Sequence, residues 1–405
     1  MAKSDGDIYE HEVRKLILRL IDFFGASSIE RSIRNYDKSL SSAGPVCREY
    51  YLRSRHPWME SIKYFFELER SGKSVRKNLN HGLKRLAGDG KKISILQQNM
   101  PEKVRNKYKK DLLDENRAYD YLFELQIAWH YHLQGYEIFW YEDDGNPEFL
   151  VRTPKFDFNV ECKRVSVDGS RKIRRRDFQR VAEIILPQIQ HLNLMGALDI
   201  ELDDRLHSNN QYFKKLSNGI FDIVSHERVG TFSFSFGQLT LSLTQSTGEV
   251  VDFRERFKKL LDKKSHEAHG AIFAEGKNRH PVDPIELTIK SRKADKVLEG
   301  MKKRIQNAAA KQLPKSIPGL IACFLEDISD LKELASESGL QLMSCYILDK
   351  PENSHVAAIS YCSEERFFRY QDVEDFNFGG LLFRNPNCSF AEVDGFAFLS
   401  KEIKI

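Results

Sequence analysis

The stretch Asn159-Val160-Glu161-Cys162-Lys163-Arg164-Val165, with Asn146-Pro147-Glu148-Phe149 just upstream, decides how this chain is read. A Glu-x-Lys triplet ends a strand-like run carrying Phe156, Phe158 and Val160. On a strand, side chains i and i+2 share a face, so Glu161 and Lys163 project together while Val160 and Cys162 turn away. Glu148 heads a second apolar run, Phe149-Leu150-Val151, and a hairpin would set the two runs side by side. Two carboxylates and an ammonium around one point suit Mg²⁺ with a group that orients water or offsets phosphate charge. The plain alternative is an ordinary antiparallel strand with a solvated Glu/Lys face. Glu-x-Lys also occurs at Glu275 and Glu402, so context rather than the triplet singles out Glu161.

That context extends in both directions. Leu122, Leu125, Trp129 and Leu133 recur at helical spacing, Gly135 supplies a C-terminal stop, and the predicted helix carries Glu124. Tyr136 to Tyr141 reads as the next strand, Glu148 to Val151 as the third element and Phe156 to Lys163 as the fourth. This order resembles the PD-(D/E)xK nuclease superfamily over residues 115–165, and resumes at Arg304 to Leu325, where a helix ending Ala310-Lys311-Gln312 leads into the strand Gly319 to Leu325.

The resemblance implies an α/β fold of the restriction-endonuclease type: a mixed central sheet flanked by helices. It implies a metal-dependent endonuclease in which Glu148, Glu161 and the Cys162 carbonyl ligate Mg²⁺, with Mn²⁺ as a substitute. Lys163 would position the water, Glu124 would hold a water or second ion from its helix, and Gln312 would stand near the scissile phosphate. The family usually carries Asp after the proline, whereas this chain has Glu148, so Asp157 is a rival ligand on the strand face of Glu161. A nuclease without a motor implies restriction or antiviral defence, DNA ahead of RNA as substrate, and a second copy or a defence-system protein as partner. The alternative is a catalytically inactive nucleic-acid-binding or scaffold protein that keeps the fold.

Charge supports a nucleic-acid partner. The net charge is +4, yet residues 48–110 hold 17 Lys/Arg against 6 Asp/Glu, leaving the remainder acidic. A second basic cluster, Arg171, Lys172, Arg174, Arg175 and Arg176, follows the Glu-x-Lys strand, where phosphate contacts would give sequence-independent, salt-sensitive affinity. A solvated helical face is the plain reading of both segments. No Gly-x-x-x-x-Gly-Lys-Ser/Thr or Gly-x-Gly-x-x-Gly occurs, and neither does Gly-x-Ser-x-Gly or His-Glu-x-x-His. Phosphate-loop motors and the commonest hydrolase and zinc-protease motifs are thereby excluded.

The 405 residues suit several domains. Residues 1–110 read as a helical, basic region, with a break at Ser41 to Pro45 and a loop at Gly88-Asp89-Gly90. Residues 111–330 read as the nuclease-like core with a β-rich insertion at about 195–290, and 331–405 as an α/β extension. Arg176 to Leu194 is expected as a helix beside the core. Thr231 to Phe236 and Leu239 to Leu243 are expected as a hairpin turning at Gly237-Gln238, and Leu340 to Leu348, His355 to Tyr361, Leu381 to Phe383 and Phe396 to Phe398 as strands. The six cysteines form no Cys-x-x-Cys pair, and no run approaches the ~20 apolar residues of a membrane helix. Buried free thiols in a reducing cytoplasm are the expectation.

Overall fold

The computed structural model describes residues 8–41, 56–143, 145–166, 170–245, 268–275, 281–326, 339–363 and 381–399. These are mixed α and β, in two sheets flanked by helices. The chain forms two compact units, one holding the described residues of Met1–Ser39, Leu52–Val167 and Leu298–Ile405, the other those of Leu40–Tyr51 and Asp168–Val297. The expected break at Ser41 to Pro45 and the Cys47 thiol lie largely or wholly outside the described residues.

The first unit opens with helices α1 (Val13–Phe24), α2 (Ala26–Ser41), α3 (Met59–Arg70), α4 (His81–Leu96) and α5 (Glu102–Asp111). In α1, Val13, Leu16, Ile17, Leu20, Ile21 and Phe24 fall at three- and four-residue steps and are buried, the pattern of a helix with one apolar stripe. Gly25 follows at φ 81° and ends that helix. The expected loop at Gly88-Asp89-Gly90 lies instead inside α4. Gly90 has a packing role there: a Cβ would stand 2.5 Å from the Leu16 carbonyl oxygen, so glycine lets α1 and α4 approach closely.

Helix α6 (Ala118–Leu133) is buried on nearly every side, as its almost continuous apolar sequence requires, and Gly135 at φ 80° stops the chain soon after it. Strands β1 (Glu137–Trp140), β2 (Phe149–Arg152) and β3 (Asp157–Ser166) form an antiparallel meander. β3 then pairs in parallel with β9 (Gly319–Glu326), β9 in parallel with β10 (Val356–Ser363), and β10 antiparallel with β11 (Leu381–Arg384). The sheet order is β1-β2-β3-β9-β10-β11. β9 is apolar and buried through its first seven residues, as a central parallel strand should be.

Helices cover both faces of this sheet. On one, Phe123 of α6 stacks on Phe324 (5.7 Å between rings) and Tyr131 meets Phe158 edge-on (5.2 Å). On the other lie α9 (Val297–Lys311) and α10 (Gly339–Leu348): the Ala309 carbonyl is 3.0 Å from His355 Nε2, and Ser344 Oγ is 2.9 Å from the Tyr361 hydroxyl. A single apolar core runs from α1 through α6 into the sheet, so helices α1 and α3 to α5 share a core with the sheet and do not form a separate domain. The C-terminal strands likewise extend the central sheet.

Two of the expected strands are not strands. Leu340 to Leu348 is α10: Leu340, Met343, Ser344 and Ile347 are buried at i, i+3, i+4 and i+7, a helical period that its short apolar run concealed. Phe396 to Phe398 pairs with no strand among the described residues; Phe396 packs on Phe156 and Phe158 (5.0 and 5.5 Å), and Phe398 on Phe158 (5.2 Å).

The second unit carries α7 (Arg175–His191), β4 (Leu194–Leu202), α8 (Asn210–His226), β5 (Val229–Phe234), β6 (Gly237–Gln245), β7 (Ala268–Glu275) and β8 (Pro281–Ser291), with sheet order β5-β6-β4-β8-β7. The insertion therefore starts near Asp168 and not near 195. Val181, Ile185 and Ile189 of α7 share a core with Leu198, Ile200 and Ile289, so this helix belongs to the second sheet. The hairpin turns at Ser235-Phe236, two residues before the expected place, and Gly237 lies within β6 at φ 149°. A Cβ there would stand 2.0 Å from the Glu201 carbonyl oxygen, so close strand approach rather than a turn requires the glycine.

Candidate functional site

Strand β3 carries the triplet where the sheet opens. β2 accompanies β3 only from Asp157 to Val160; from Glu161 onward β3 keeps only β9 as a strand partner among the described residues. Glu161 and Lys163 share a face, alongside Ile321 and Cys323 of β9 in register. Glu161 has 0% of its surface exposed, and Lys163 makes a close ion pair with it. That pair uses Oε1; the other carboxylate oxygen, Oε2, meets no hydrogen-bond donor among the described residues.

Glu148 sits at the fork. Its N–H donates to the Val160 carbonyl at 3.0 Å, although the register partner of Val160 is Phe149. Glu148 thus stands one residue before β2, tied by its backbone to the β3 residue that precedes Glu161. Burial raises the proton affinity of Glu124 and of Glu161, and in both the next largest contribution is the charge of Glu148. Glu148 is therefore the electrostatic neighbour common to the two other carboxylates.

Glu124 approaches from α6, whose side chains cover the Phe158-Val160-Cys162 face, and accepts a short hydrogen bond from the Tyr108 hydroxyl of α5. Tyr108 is buried edge-on against Tyr121 (4.7 Å) and Trp140 (5.3 Å). Burial and Glu148 hold Glu124 well above the usual carboxylate range, with the Tyr108 bond opposing them. Burial and Glu148 push Glu161 up to about 8, while Lys163 pulls it down. Burial alone would lower the Lys163 ammonium; Glu161, then Glu148, outweigh it and hold it above its ordinary value.

These shifts set a sign. Glu161 has a folded-state pKa above its unfolded value, so its contribution to stability is complete below about pH 4.5 and is lost as pH rises through about 8. Cation-free protein should lose stability across that window relative to Glu161→Gln, by on the order of a few kcal/mol, seen as a falling melting temperature. Melting curves of both proteins from pH 5 to 9 check this; parallel pH profiles would show that Glu161 ionises freely in the fold.

Asp157, the rival ligand, lies four residues back along β3, about 13 Å away. It is paired with Arg152 at 3.2 Å and is 35% exposed at its side chain, and it is not among the groups that perturb Glu161. Cys162 is buried and turned towards α6, its thiol raised by burial and then by Glu124, Glu148 and Glu161. Gln312 stands one residue beyond α9, half-buried, its N–H donating to Ala308. Arg171, Lys172 and Arg174 to Arg176 belong to the second unit, where the Lys172 N–H donates to Asp295 at 2.6 Å and Arg174 is exposed; the side chains of Arg175 and Arg176 lie outside the described residues. In the N-terminal basic segment, Lys92 binds Asp89 and Gln126 (3.1 and 2.5 Å), Lys103 binds Asp143 (3.1 Å), and Lys109 lies over Phe23 (5.1 Å). Those lysines are ties between elements of the fold.

No three His, Cys, Asp or Glu side chains among the described residues converge as a ready metal cage. The fit for a cation rests on the fully buried Glu161 carboxylate, one oxygen ion-paired with Lys163 and the other without a hydrogen-bond donor among the described residues, beside the charge of Glu148. Mg²⁺ suits such a set, because it keeps several waters and takes one or two carboxylates in place of a complete protein cage. Sequence reasoning missed Tyr108 and Asn159. Asn159 is fully buried on the Glu161 face and accepts from the Tyr141 hydroxyl at 2.9 Å. Its position two residues before Glu161 was the available signal. No family model, curated protein or solved structure matches this chain.

Proposed function

We propose that this chain is a metal-dependent nuclease with a restriction-endonuclease-like core, hydrolysing phosphodiester bonds of nucleic acid, DNA ahead of RNA, in the cytoplasm. The observation that carries the reading is the juxtaposition of Glu148, Glu161 and Lys163 at the end of an antiparallel meander, where β3 continues beside a parallel partner. The meander, the parallel crossover and the helix bearing Glu124 occur in the order that the PD-(D/E)xK resemblance implies.

Glu148 and Glu161 would hold Mg²⁺, joined by the Cys162 carbonyl. When bound, Mg²⁺ supplies Lewis acidity and lowers the pKa of water. Glu161 must ionise to bind a cation, and Lys163 favours that ionised form. Lys163 also keeps its proton, so it can orient water and offset phosphate charge without serving as the base. Burial and Glu148 favour the protonated form of Glu124, in which it would donate as well as accept a hydrogen bond. Restriction or antiviral defence, and a homo-oligomeric or defence-system partner, are proposals drawn from the resemblance alone. One observation favours the second reading, a silent nucleic-acid-binding protein: the complete burial of Glu161.

The two candidate acids separate the metal assignment. Glu148→Gln should remove cleavage with little change in melting temperature, by about 10²-fold or more in kcat. Asp157→Asn should retain most activity, since Asp157 is tied to Arg152. Cleavage rates for both purified variants decide it, and the reverse ranking would move the site along β3.

A further inference from the structure

Asn159 carries an unmet valence that the proposed reaction can use. It lies two residues before Glu161 on the same face of β3, with 0% of its surface exposed. Its Oδ1 accepts from the Tyr141 hydroxyl at 2.9 Å, while its Nδ2 has no hydrogen-bond partner among the described residues. The Tyr141 hydroxyl can donate or accept, so whichever end of the amide meets it, the other end remains unmatched. Of the Glu161 oxygens, Oε1 is ion-paired with Lys163, while Oε2 is buried without a hydrogen-bond donor among the described residues. An unmatched amide nitrogen and an unmatched carboxylate oxygen thus belong to residues two apart on one strand face. Buried polar groups are almost always satisfied, and a pair left open in this way marks the place of an ordered water.

We propose that Asn159 is a positioning residue: its side-chain amide and the Glu161 carboxylate hold one water between them, and Tyr141 fixes the amide's orientation. The water accepts from Nδ2 and donates to Glu161, which answers both open groups at once. Lys163, paired with the same carboxylate, borders this place. The inference rests on the nuclease reading for its catalytic consequence and not for the water itself.

The water is tested in the metal-free full-length protein by NMR, with ¹⁵N-asparagine labelling. The Asn159 amide pair, identified by its loss in Asn159→Ala and its displacement in Tyr141→Phe, should show a cross-peak to a long-lived bound water. It should also shift when Mg²⁺ alone is added. An amide with no water cross-peak and no response to Mg²⁺ overturns the proposal, whether or not the protein cleaves. The catalytic consequence is read separately: Asn159→Ala should lower kcat about 10–100-fold with KM little changed, and Tyr141→Phe should lower it by a smaller factor. If Asn159→Ala fails to fold, Tyr141→Phe keeps Asn159 in place and still reports. Unchanged kcat in a folded variant, against an active wild type, overturns the positioning role. A wild type that cleaves nothing overturns the nuclease reading and leaves the water to the NMR result.

Discussion

Replacing Glu161 with glutamine is expected to abolish Mg²⁺-dependent cleavage, by at least about 10³-fold in kcat, while leaving a folded protein. The side chain keeps its size, and the strand pairing of β3 with β9 does not depend on its charge. What disappears is the anion that would hold the cation, together with the ionic partner of Lys163. Because burial and Glu148 make the ionised form costly, the variant should also be the more stable protein above about pH 8 without metal. Lost activity with raised stability distinguishes a functional group from a structural one, because a structural carboxylate would lower both on removal. Rates, melting curves and Mg²⁺ binding isotherms measured together read all three effects.

Replacing Lys163 with methionine should lower kcat by about 10²–10³-fold while nucleic-acid binding is largely kept, since an ammonium that orients water acts mainly in the transition state. The methionine preserves much of the aliphatic stem and removes the charge. Without that charge the buried Glu161 becomes harder still to ionise, so the activity that remains should move its pH optimum upward. A variant with unchanged kcat and an unchanged pH profile would remove Lys163 from the reaction.

The triplet, the meander and the helix before it were legible because their signals are local. Alternation placed Glu161 with Lys163, and the apolar period of α6 ended where Gly135 said it would. Features that depend on distant segments were not legible. Leu340 to Leu348 is short and almost wholly apolar, so strand and helix readings coincide until α10 is seen to bury Leu340, Met343, Ser344 and Ile347. Gly237 carries a turn-like residue for a strand reason, the nearness of the β4 backbone at Glu201. The insertion begins at Asp168 because α7 finds its apolar partners on β4 and β8, which no local pattern announces. At the candidate site, the proline context pointed to Glu148, but the backbone tie that holds it beside Val160 depends on how β2 pairs with β3. Tyr108 reaches Glu124 from a helix whose sequence is mostly charged, so its part was hidden among lysines.

The most direct test of the account incubates the purified full-length chain with supercoiled plasmid, linear duplex DNA, single-stranded DNA and RNA, in Mg²⁺ and in EDTA, beside Glu161→Gln. The account predicts cleavage of at least one of these by the wild type in Mg²⁺, none in EDTA, and none by the variant in either. Cleavage that survives in Glu161→Gln, or a folded wild type that binds Mg²⁺ and leaves every substrate intact, would contradict it.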